Sequence, residues 1–212
     1  MTTARDEVLG RIRTALGPAP SQGTTPRAYR TAGEHGPGSP ALVELLTDRL
    51  VDYRATVVAT TEPELPEAVA RVLDERGLRR VVAPDGVPEA WLDGADVLRD
   101  GAGTLAVAEL DGADAVVTGC AVAVAETGTI VLDAGPDQGR RALTLVPDVH
   151  VVVVRAGQVV QTVPEAVARL AGGAVDRPLT MISGPSATSD IELDRVEGVH
   201  GPRTLIVVLA RS

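Results

Sequence analysis

The sequence contains no lysine, no asparagine and no phenylalanine, and all 20 of its basic residues are arginine. These three residue types share A/T-rich codons, so a G+C-rich coding sequence explains the bias better than function does. The lack of lysine nevertheless restricts the chemistry, because Schiff-base catalysis, pyridoxal phosphate attachment and the P-loop all require a lysine side chain. The sequence therefore excludes these classes of enzyme.

Cysteine is almost as scarce, since Cys120 is the only one. A single cysteine cannot form a disulfide within the chain, and it cannot supply the ligands of an iron–sulfur cluster. Cys120 lies in a run of small apolar residues, where a thiol is more often an inert packing group than a nucleophile. We therefore expect a reduced, cytoplasmic protein without an iron–sulfur cluster of its own.

Aromatic residues and positive charge are also scarce. The chain has one tryptophan and two tyrosines, and its formal net charge is −9. A nucleic-acid-binding protein is expected to present a basic patch or aromatic stacking platforms, and neither is apparent. No uncharged apolar run reaches the 18 residues that a membrane-spanning helix needs, and the first residues lack an apolar signal core. We expect a soluble protein with no nucleic-acid partner and no membrane span.

The first 39 residues differ in composition from the rest of the chain. Thr3 is a plausible N-cap for an amphipathic helix over residues 4–16, and residues 17–40 are rich in Gly, Pro, Ser and Thr. The sequence predicts a helix and flexible linker over residues 1–39 and an α/β domain over residues 40–212. The helical arm docks either on its own core or on a second subunit, which makes a homo-oligomer an open alternative.

From residue 40 onward, strand patterns alternate with helix patterns. The predicted helices cover residues 40–53, 63–76, 88–92, 104–110, 138–143 and 164–170, and the predicted strands cover 56–59, 80–83, 96–98, 115–118, 129–132, 150–154, 179–182 and 204–209. The state of residues 121–125 is open. This alternation predicts an α/β fold with a mostly parallel sheet and helices on both faces. His150–Val154 is the strongest strand, typical of a central parallel strand.

A short polar segment, Glu126-Thr127-Gly128-Thr129, interrupts about twenty residues that otherwise belong in a core. Burying its carboxylate and hydroxyls without partners would cost roughly 1–3 kcal/mol each, so a turn at a sheet edge is expected. Two interpretations remain open. The threonines satisfy the backbone of their own turn, or the turn presents its polar groups to a ligand.

A second polar stretch follows the predicted strand at residues 179–182. It supplies the remaining ligand-binding candidates, which are Ser183, Gly184, Ser186, Thr188, Asp190, Glu192, His200 and Gly201. Three interpretations are open: a structured loop, an anion or ligand site, and a divalent metal held by Asp190, Glu192 and His200. Loops of open parallel sheets meet at the carboxyl ends of the strands, so we expect this loop and the Glu126 turn to face one cleft.

No motif announces a cofactor. Gly101–Ala106 matches the relaxed G-x-G-x-x-A dinucleotide fingerprint, but the strand before it and the helix after it are both short. The nucleophile elbow, the H-E-x-x-H motif and the C-x-x-C motif are all missing. His150, beside four valines, is expected to be a hydrogen-bonded strand residue. The sequence therefore shows no recognisable cofactor-binding motif and identifies no catalytic residue.

Three segments together resemble a known family. Ala125–Thr129, Pro147–His150 and Ser183–Glu192, followed by Gly198–Pro202, resemble the LUD domain, and within it the lactate utilization protein C (LutC/YkgG) family. Their order and spacing agree from about residue 40 to the end, and the N-terminal helical arm is also typical. The one departure is Ser189, which stands where alanine is common.

The resemblance implies a fold like that of the sugar-phosphate isomerases and CoA transferases. It also implies a role in oxidising L-lactate to pyruvate beside iron–sulfur partner proteins, and it transfers no catalytic residue. Because one cysteine cannot hold a cluster, we expect an accessory subunit that binds a small anionic ligand or cofactor, with the clusters in its partners. The alternative is a free-standing isomerase- or CoA-transferase-like enzyme with Glu126 as nucleophile or base. Whether the chain is an enzyme stays open.

Overall fold

The computed structural model describes residues 3–17, 26–101, 105–172, 177–185 and 201–211. The helices are α1 (Ala4–Leu16), α2 (Pro40–Asp52), α3 (Leu65–Glu75), α4 (Val107–Asp111) and α5 (Val163–Ala171). The strands are β1 (Thr56–Thr61), β2 (Arg80–Ala83), β3 (Asp96–Arg99), β4 (Ala115–Thr118), β5 (Val122–Val124), β6 (Thr129–Leu132), β7 (Val149–Arg155), β8 (Val159–Val160), β9 (Thr180–Ile182) and β10 (Thr204–Arg211). The predicted α/β fold is confirmed.

Within the described residues, six strands form a parallel sheet in the order β1-β10-β7-β4-β2-β3. β7 is central, as predicted, and pairs in parallel with β10 on one side and β4 on the other. Its residues from His150 to Val154 are all buried. Because both faces of such a strand are covered, its sequence is a continuous apolar run with no polar alternation.

A smaller sheet, which the sequence did not predict, contains β8, β5, β6 and β9 in that order. The open segment at residues 121–125 contains β5, which pairs antiparallel with β6. β6 also pairs antiparallel with β9. The strand predicted at residues 129–132 is therefore correct, but it belongs to this mixed sheet and not to the large parallel one.

Helices and the small sheet cover the two faces of the parallel sheet. One face packs against α3, through Leu65, Val69 and Val72, and against the short turn that carries Trp91. The other face packs against the small sheet and against α2, whose predicted inward residues are all buried: Leu42, Val43, Leu46 and Leu50. α5 in turn covers the outer face of the small sheet.

The helix predicted at residues 138–143 is wrong over its first half. Residues 138–140 are not helical, and Arg141–Thr144 form a single 3-10 turn in place of an α-helix. Gly139 has a φ of +67°, which lies outside the helical region. The Gln138 side chain accepts a hydrogen bond from the Asp133 backbone N–H at 2.5 Å, so it stabilises a compact loop. The helix predicted at residues 104–110 corresponds to α4, which begins at Val107. Residue 104 lies outside the described residues.

The N-terminal part comprises a capped helix and a segment that runs along the domain. Thr3 caps α1 by accepting a hydrogen bond from the Asp6 N–H, as predicted, and α1 buries none of its side chains. Further on, the backbone N–H groups of Glu34 and His35 donate to Gln161 Oε1 at 2.7 and 3.0 Å. The predicted domain boundary at residue 39 stays a prediction. Helix α1 buries no side chain, whereas Glu34 and His35 are hydrogen-bonded to the domain.

No helix in the described ranges combines the length and the apolar character needed to cross a membrane.

Candidate functional site

The Glu126–Thr129 segment is the turn of the hairpin between β5 and β6. Gly128 adopts a φ of +61°, and a Cβ atom at this position would lie 2.8 Å from Cβ of Arg49 in α2. Both the backbone angle and the close approach require glycine. The turn is therefore packed against the C-terminal end of α2, which precedes the amino end of β1.

A row of hydroxyl groups joins this turn to the second polar stretch. The Oγ1 atoms of Thr127 and Thr129 lie 2.8 Å apart, and Thr129 Oγ1 lies 2.8 Å from Ser183 Oγ. Gly184 has a φ of +89°, and a Cβ atom there would lie 2.9 Å from Tyr53 Cβ. The structure thus brings the first residues of both polar segments together beside α2.

A small cavity of about 60 Å³ adjoins this row. Its lining includes three predicted residues, Ser183, Gly184 and Gly201, together with Arg141 and Thr144, which the sequence analysis missed. Arg141 donates through Nη1 to Thr144 O at 2.9 Å and to Thr144 Oγ1 at 3.0 Å. The arginine is therefore held in place at the edge of a group of hydroxyls, an arrangement suited to an anion.

Glu126 is engaged by groups on the domain and on the N-terminal segment. Arg30 forms an ion pair with its Oε2, and Gln161 Nε2 donates to its Oε1 at 3.1 Å. The hydrogen bond from Arg30, followed by that from Gln161, lowers the pKa of Glu126, so the carboxylate is ionised at neutral pH. Arg30 lies in the segment predicted as linker, and no local pattern in the sequence pointed to this contact.

The remaining candidates, Ser186, Thr188, Asp190, Glu192 and His200, lie outside the described residues. The proposed metal ligands are among them. Within the described part of the chain, no three His, Cys, Asp or Glu side chains are grouped so that they could hold a metal ion. The cleft expected between Glu126 and Asp190 therefore stays a prediction.

The position of these polar groups differs from the expected carboxyl ends of the parallel strands. The Glu126 turn belongs to an antiparallel hairpin, and Ser183 follows β9, which pairs antiparallel with β6. The carboxyl ends of β2 and β3 instead open onto a separate cleft of about 620 Å³. We call it the carboxyl-end cleft, and its lining includes Asp85, Asp100, Gly101, Gly135, Arg140 and Arg141.

One ion pair anchors this cleft. Arg140 donates through Nε to Asp100 Oδ2 at 2.9 Å and through Nη2 to Oδ1 at 3.1 Å, while only 1% of the Asp100 side chain is exposed. Burial alone would raise the pKa of Asp100, but the hydrogen bonds from Arg140 and from the Leu105 N–H outweigh it and lower the pKa. The pair is therefore fully charged at neutral pH.

Two residues that the sequence marked as structural are confirmed as such. Cys120 is buried, and burial raises the pKa of its thiol to about 12, so the thiol is protonated and unreactive. His150 is fully buried in β7, with Nε2 2.8 Å from Thr118 Oγ1. Neither residue is exposed to a ligand.

The Gly128 turn allows a direct test of how tightly the hairpin packs on α2. We expect Gly128→Ala to lower the free energy of unfolding by about 2 kcal/mol or more, because the new methyl group meets both a left-handed backbone angle and Arg49. Gly77→Ala is the matched control, since Gly77 has a φ of +66° and a Cβ atom added there would meet no atom within 4 Å. Urea denaturation of both variants measures the difference, and equal losses would contradict the close packing at Gly128.

An open parallel sheet whose carboxyl ends face a cleft, with a small mixed sheet packed on one side, defines this protein as an α/β domain. The sequence model of the LUD domain matches residues 43–210. The chain therefore belongs to the LUD domain family, as its motifs suggested.

Relatives of known sequence and structure agree with this assignment. A Deinococcus radiodurans protein named lactate utilization protein C is 49% identical over 211 residues, which cover 99% of this chain and 92% of that protein. A protein of the same name from Halalkalibacterium halodurans is 27% identical, covering 92% of this chain and 90% of the relative. The crystal structure of a DUF162 family protein from Deinococcus radiodurans superimposes with a TM-score of 0.69 at 49% identity, covering 80% of this chain and 96% of that one.

Proposed function

We propose that this chain is an accessory subunit of a cytoplasmic system that oxidises L-lactate to pyruvate. In this proposal it binds a small anionic ligand, while partner proteins carry the iron–sulfur clusters. The link to lactate rests on the name lactate utilization protein C, which belongs to relatives that match nearly the whole chain. The identity is high enough over that length for a shared role to be the first hypothesis to test.

The state of Cys120 carries the assignment as an accessory subunit. Oxidation of lactate to pyruvate releases two electrons, and a system built around iron–sulfur partners must accept them at clusters held by several cysteine thiolates. This sequence has a single cysteine, and its thiol is buried and protonated. In this proposal the electron-accepting clusters therefore belong to partner chains.

The ligand-binding part of the proposal is supported by the hydroxyl row and the arginine beside it. Thr127, Thr129 and Ser183 are linked at 2.8 Å, and Arg141 lies on the same small cavity as Ser183. Hydroxyls that can donate, next to a fixed guanidinium, suit a carboxylate. The alternative of a free-standing enzyme would need Glu126 as nucleophile or base, but Arg30 and Gln161 occupy both of its oxygens.

Activity assays of the chain alone and with its partners test the proposal. We expect the purified chain, free of flavin and metal, to reduce no dye in the presence of L-lactate. Adding the proposed iron–sulfur partner proteins should give lactate-dependent reduction, and omitting this chain should abolish or strongly reduce that rate. Turnover by the isolated chain would contradict the accessory role.

Variants of this chain sharpen the experiment. Cys120→Ala should leave the reconstituted rate unchanged, because a buried, protonated thiol takes no part in electron transfer. Thr129→Val removes the central hydroxyl of the row and should lower the rate without unfolding the protein, since Thr129 is only partly buried. A reconstituted system that loses its activity with Cys120→Ala, while the variant remains folded, would overturn the assignment.

A further inference from the structure

The carboxyl-end cleft lies outside the polar segments that the sequence analysis selected. β2 and β3 are parallel neighbours, with Ala83 in register with Arg99. Asp85 and Gly101 each follow the last residue of their strand by two positions, so both stand at the carboxyl edge of the sheet. In open α/β sheets, ligands bind in a crevice at this edge. The location alone makes the cleft a candidate binding site.

Another wall of the cleft is the loop that contains Pro136 and Asp137, which is hydrogen-bonded to residues that follow β2 and β4. Its Pro136 carbonyl accepts from the Gly86 N–H at 2.9 Å, and its Asp137 carbonyl accepts from the Gly119 N–H at 2.9 Å. Gly86 approaches so closely that a Cβ atom there would lie 2.4 Å from the Pro136 carbonyl carbon. A wall held on both sides is already ordered before a ligand arrives, which removes an ordering cost from binding.

The charges in the cleft are of both signs and come from different walls. Arg140 and Arg141 stand on one wall, and Asp100 fixes Arg140 while 36% of the Arg140 side chain remains exposed. Asp85 is an exposed carboxylate on the wall that follows β2. Arginines bind phosphate or carboxylate groups, whereas an aspartate accepts hydrogen bonds from hydroxyl groups. Together they suit a molecule that carries both kinds of group.

The size of the cleft selects among such molecules. Its volume of about 620 Å³ falls within the roughly 300–1,000 Å³ typical of sites for cofactors and drug-sized ligands. A molecule as small as lactate would leave most of this space to water. A nucleotide has the right size, an anionic phosphate and ribose hydroxyl groups.

We propose that the carboxyl-end cleft binds a nucleotide-sized ligand, with its phosphate at Arg140 and Arg141 and a hydroxyl group at Asp85. This extends the ligand-binding role proposed above and rests on it only in expecting an anion. It places a second, larger anion in the cleft next to the small cavity, and Arg141 lines both. Lactate and the larger ligand would then have separate places on one chain.

Isothermal titration of the full chain with AMP, ADP and NAD, and separately with inorganic phosphate and L-lactate, tests the inference. At least one nucleotide should bind saturably and more tightly than phosphate. Arg141→Gln should weaken it at least about tenfold, the loss expected for one hydrogen bond to a charged group, and Arg141→Lys should restore part of it. Asp85→Asn should weaken nucleotide binding and leave phosphate binding unchanged. Arg79→Gln, an exposed arginine paired with Asp74 elsewhere, is the matched control.

The outcomes separate this inference from the proposed function. If no nucleotide binds, or if a nucleotide binds with an affinity that neither Arg141→Gln nor Asp85→Asn changes, the cleft assignment is wrong. Binding of L-lactate alone with the same sensitivity to Arg141→Gln also overturns it. Asp85 is exposed, so its variant remains informative should the Arg141 variant fail to fold. The lactate-dependent assay is an independent test. A chain that supports lactate oxidation without binding nucleotides agrees with the proposed function and contradicts only the assignment of a nucleotide to the carboxyl-end cleft.

Discussion

Lowering the pH from 7 to 4 should destabilise this protein by about 3 kcal/mol through His150 alone. Burial, with a smaller contribution from the positive charge of Arg141, lowers the pKa of His150 to about 3. In the unfolded chain a histidine titrates near pH 6.5, so the unfolded state binds the proton first as the pH falls. The stability is therefore fully present above about pH 6.5 and is lost progressively as the pH falls toward 3.

The measurement is the free energy of unfolding in urea at several pH values between 7 and 4 for the native protein and for His150→Gln. Carboxylates also titrate near the lower limit, so the difference between the two curves isolates the histidine. His35→Gln is the matched control, because His35 lies on the surface. Parallel curves for the native protein and His150→Gln would show that the buried imidazole does not oppose acid unfolding.

Replacing Arg140 by methionine should lower the free energy of unfolding at pH 7 by about 3 kcal/mol or more. The change leaves the Asp100 carboxylate, whose side chain is 1% exposed, without its cationic partner. A buried charge that loses its partner is costly, because the carboxylate keeps its desolvation penalty after the charge-assisted hydrogen bonds are lost. Urea denaturation at pH 7 measures the loss.

Two further variants define the cause of that loss. Arg203→Met breaks an exposed pair with Asp148, 3.4 Å apart, and should change the stability by about 0.5 kcal/mol or less. The double variant Arg140→Met with Asp100→Leu removes both charges and should recover much of the loss, because no buried carboxylate remains. If the double variant is as unstable as the single one, packing and not charge is what Arg140 contributes.

Most elements of the fold were predictable because the apolar pattern records burial directly. β2, β4 and β6 lie at the predicted positions, and α1 begins and ends where its cap and its glycine indicate. The small sheet was not predictable, because a buried run such as Val122–Val124 looks the same in either sheet. The failed helix at residues 138–143 shows the same limit, since Gln138 bonds to Asp133 only once the loop has folded.

The candidate site was predictable only where polar residues interrupt apolar runs. That signal found Thr127, Thr129 and Ser183, which the structure joins through their hydroxyls. Arg30 and Arg141 gave no such signal, because neither interrupts an apolar run. The groups they meet at the site are distant in the sequence, since Arg30 pairs with Glu126 across 96 positions and Arg141 shares its cavity with Ser183. Contacts of that kind depend on the complete fold and leave no local pattern.

Helix α1 buries none of its apolar side chains. Val8, Ile12 and Leu16 form one stripe and are 56%, 49% and 74% exposed. An isolated helix of 13 residues is only marginally stable in water, so we expect α1 to exchange between helix and coil independently of the domain. Its amide hydrogens should exchange with solvent almost as fast as those of a free peptide, while those of β7 should be protected until the whole domain unfolds. The melting temperature should therefore report on the domain alone, and substitutions in α1 should leave it unchanged.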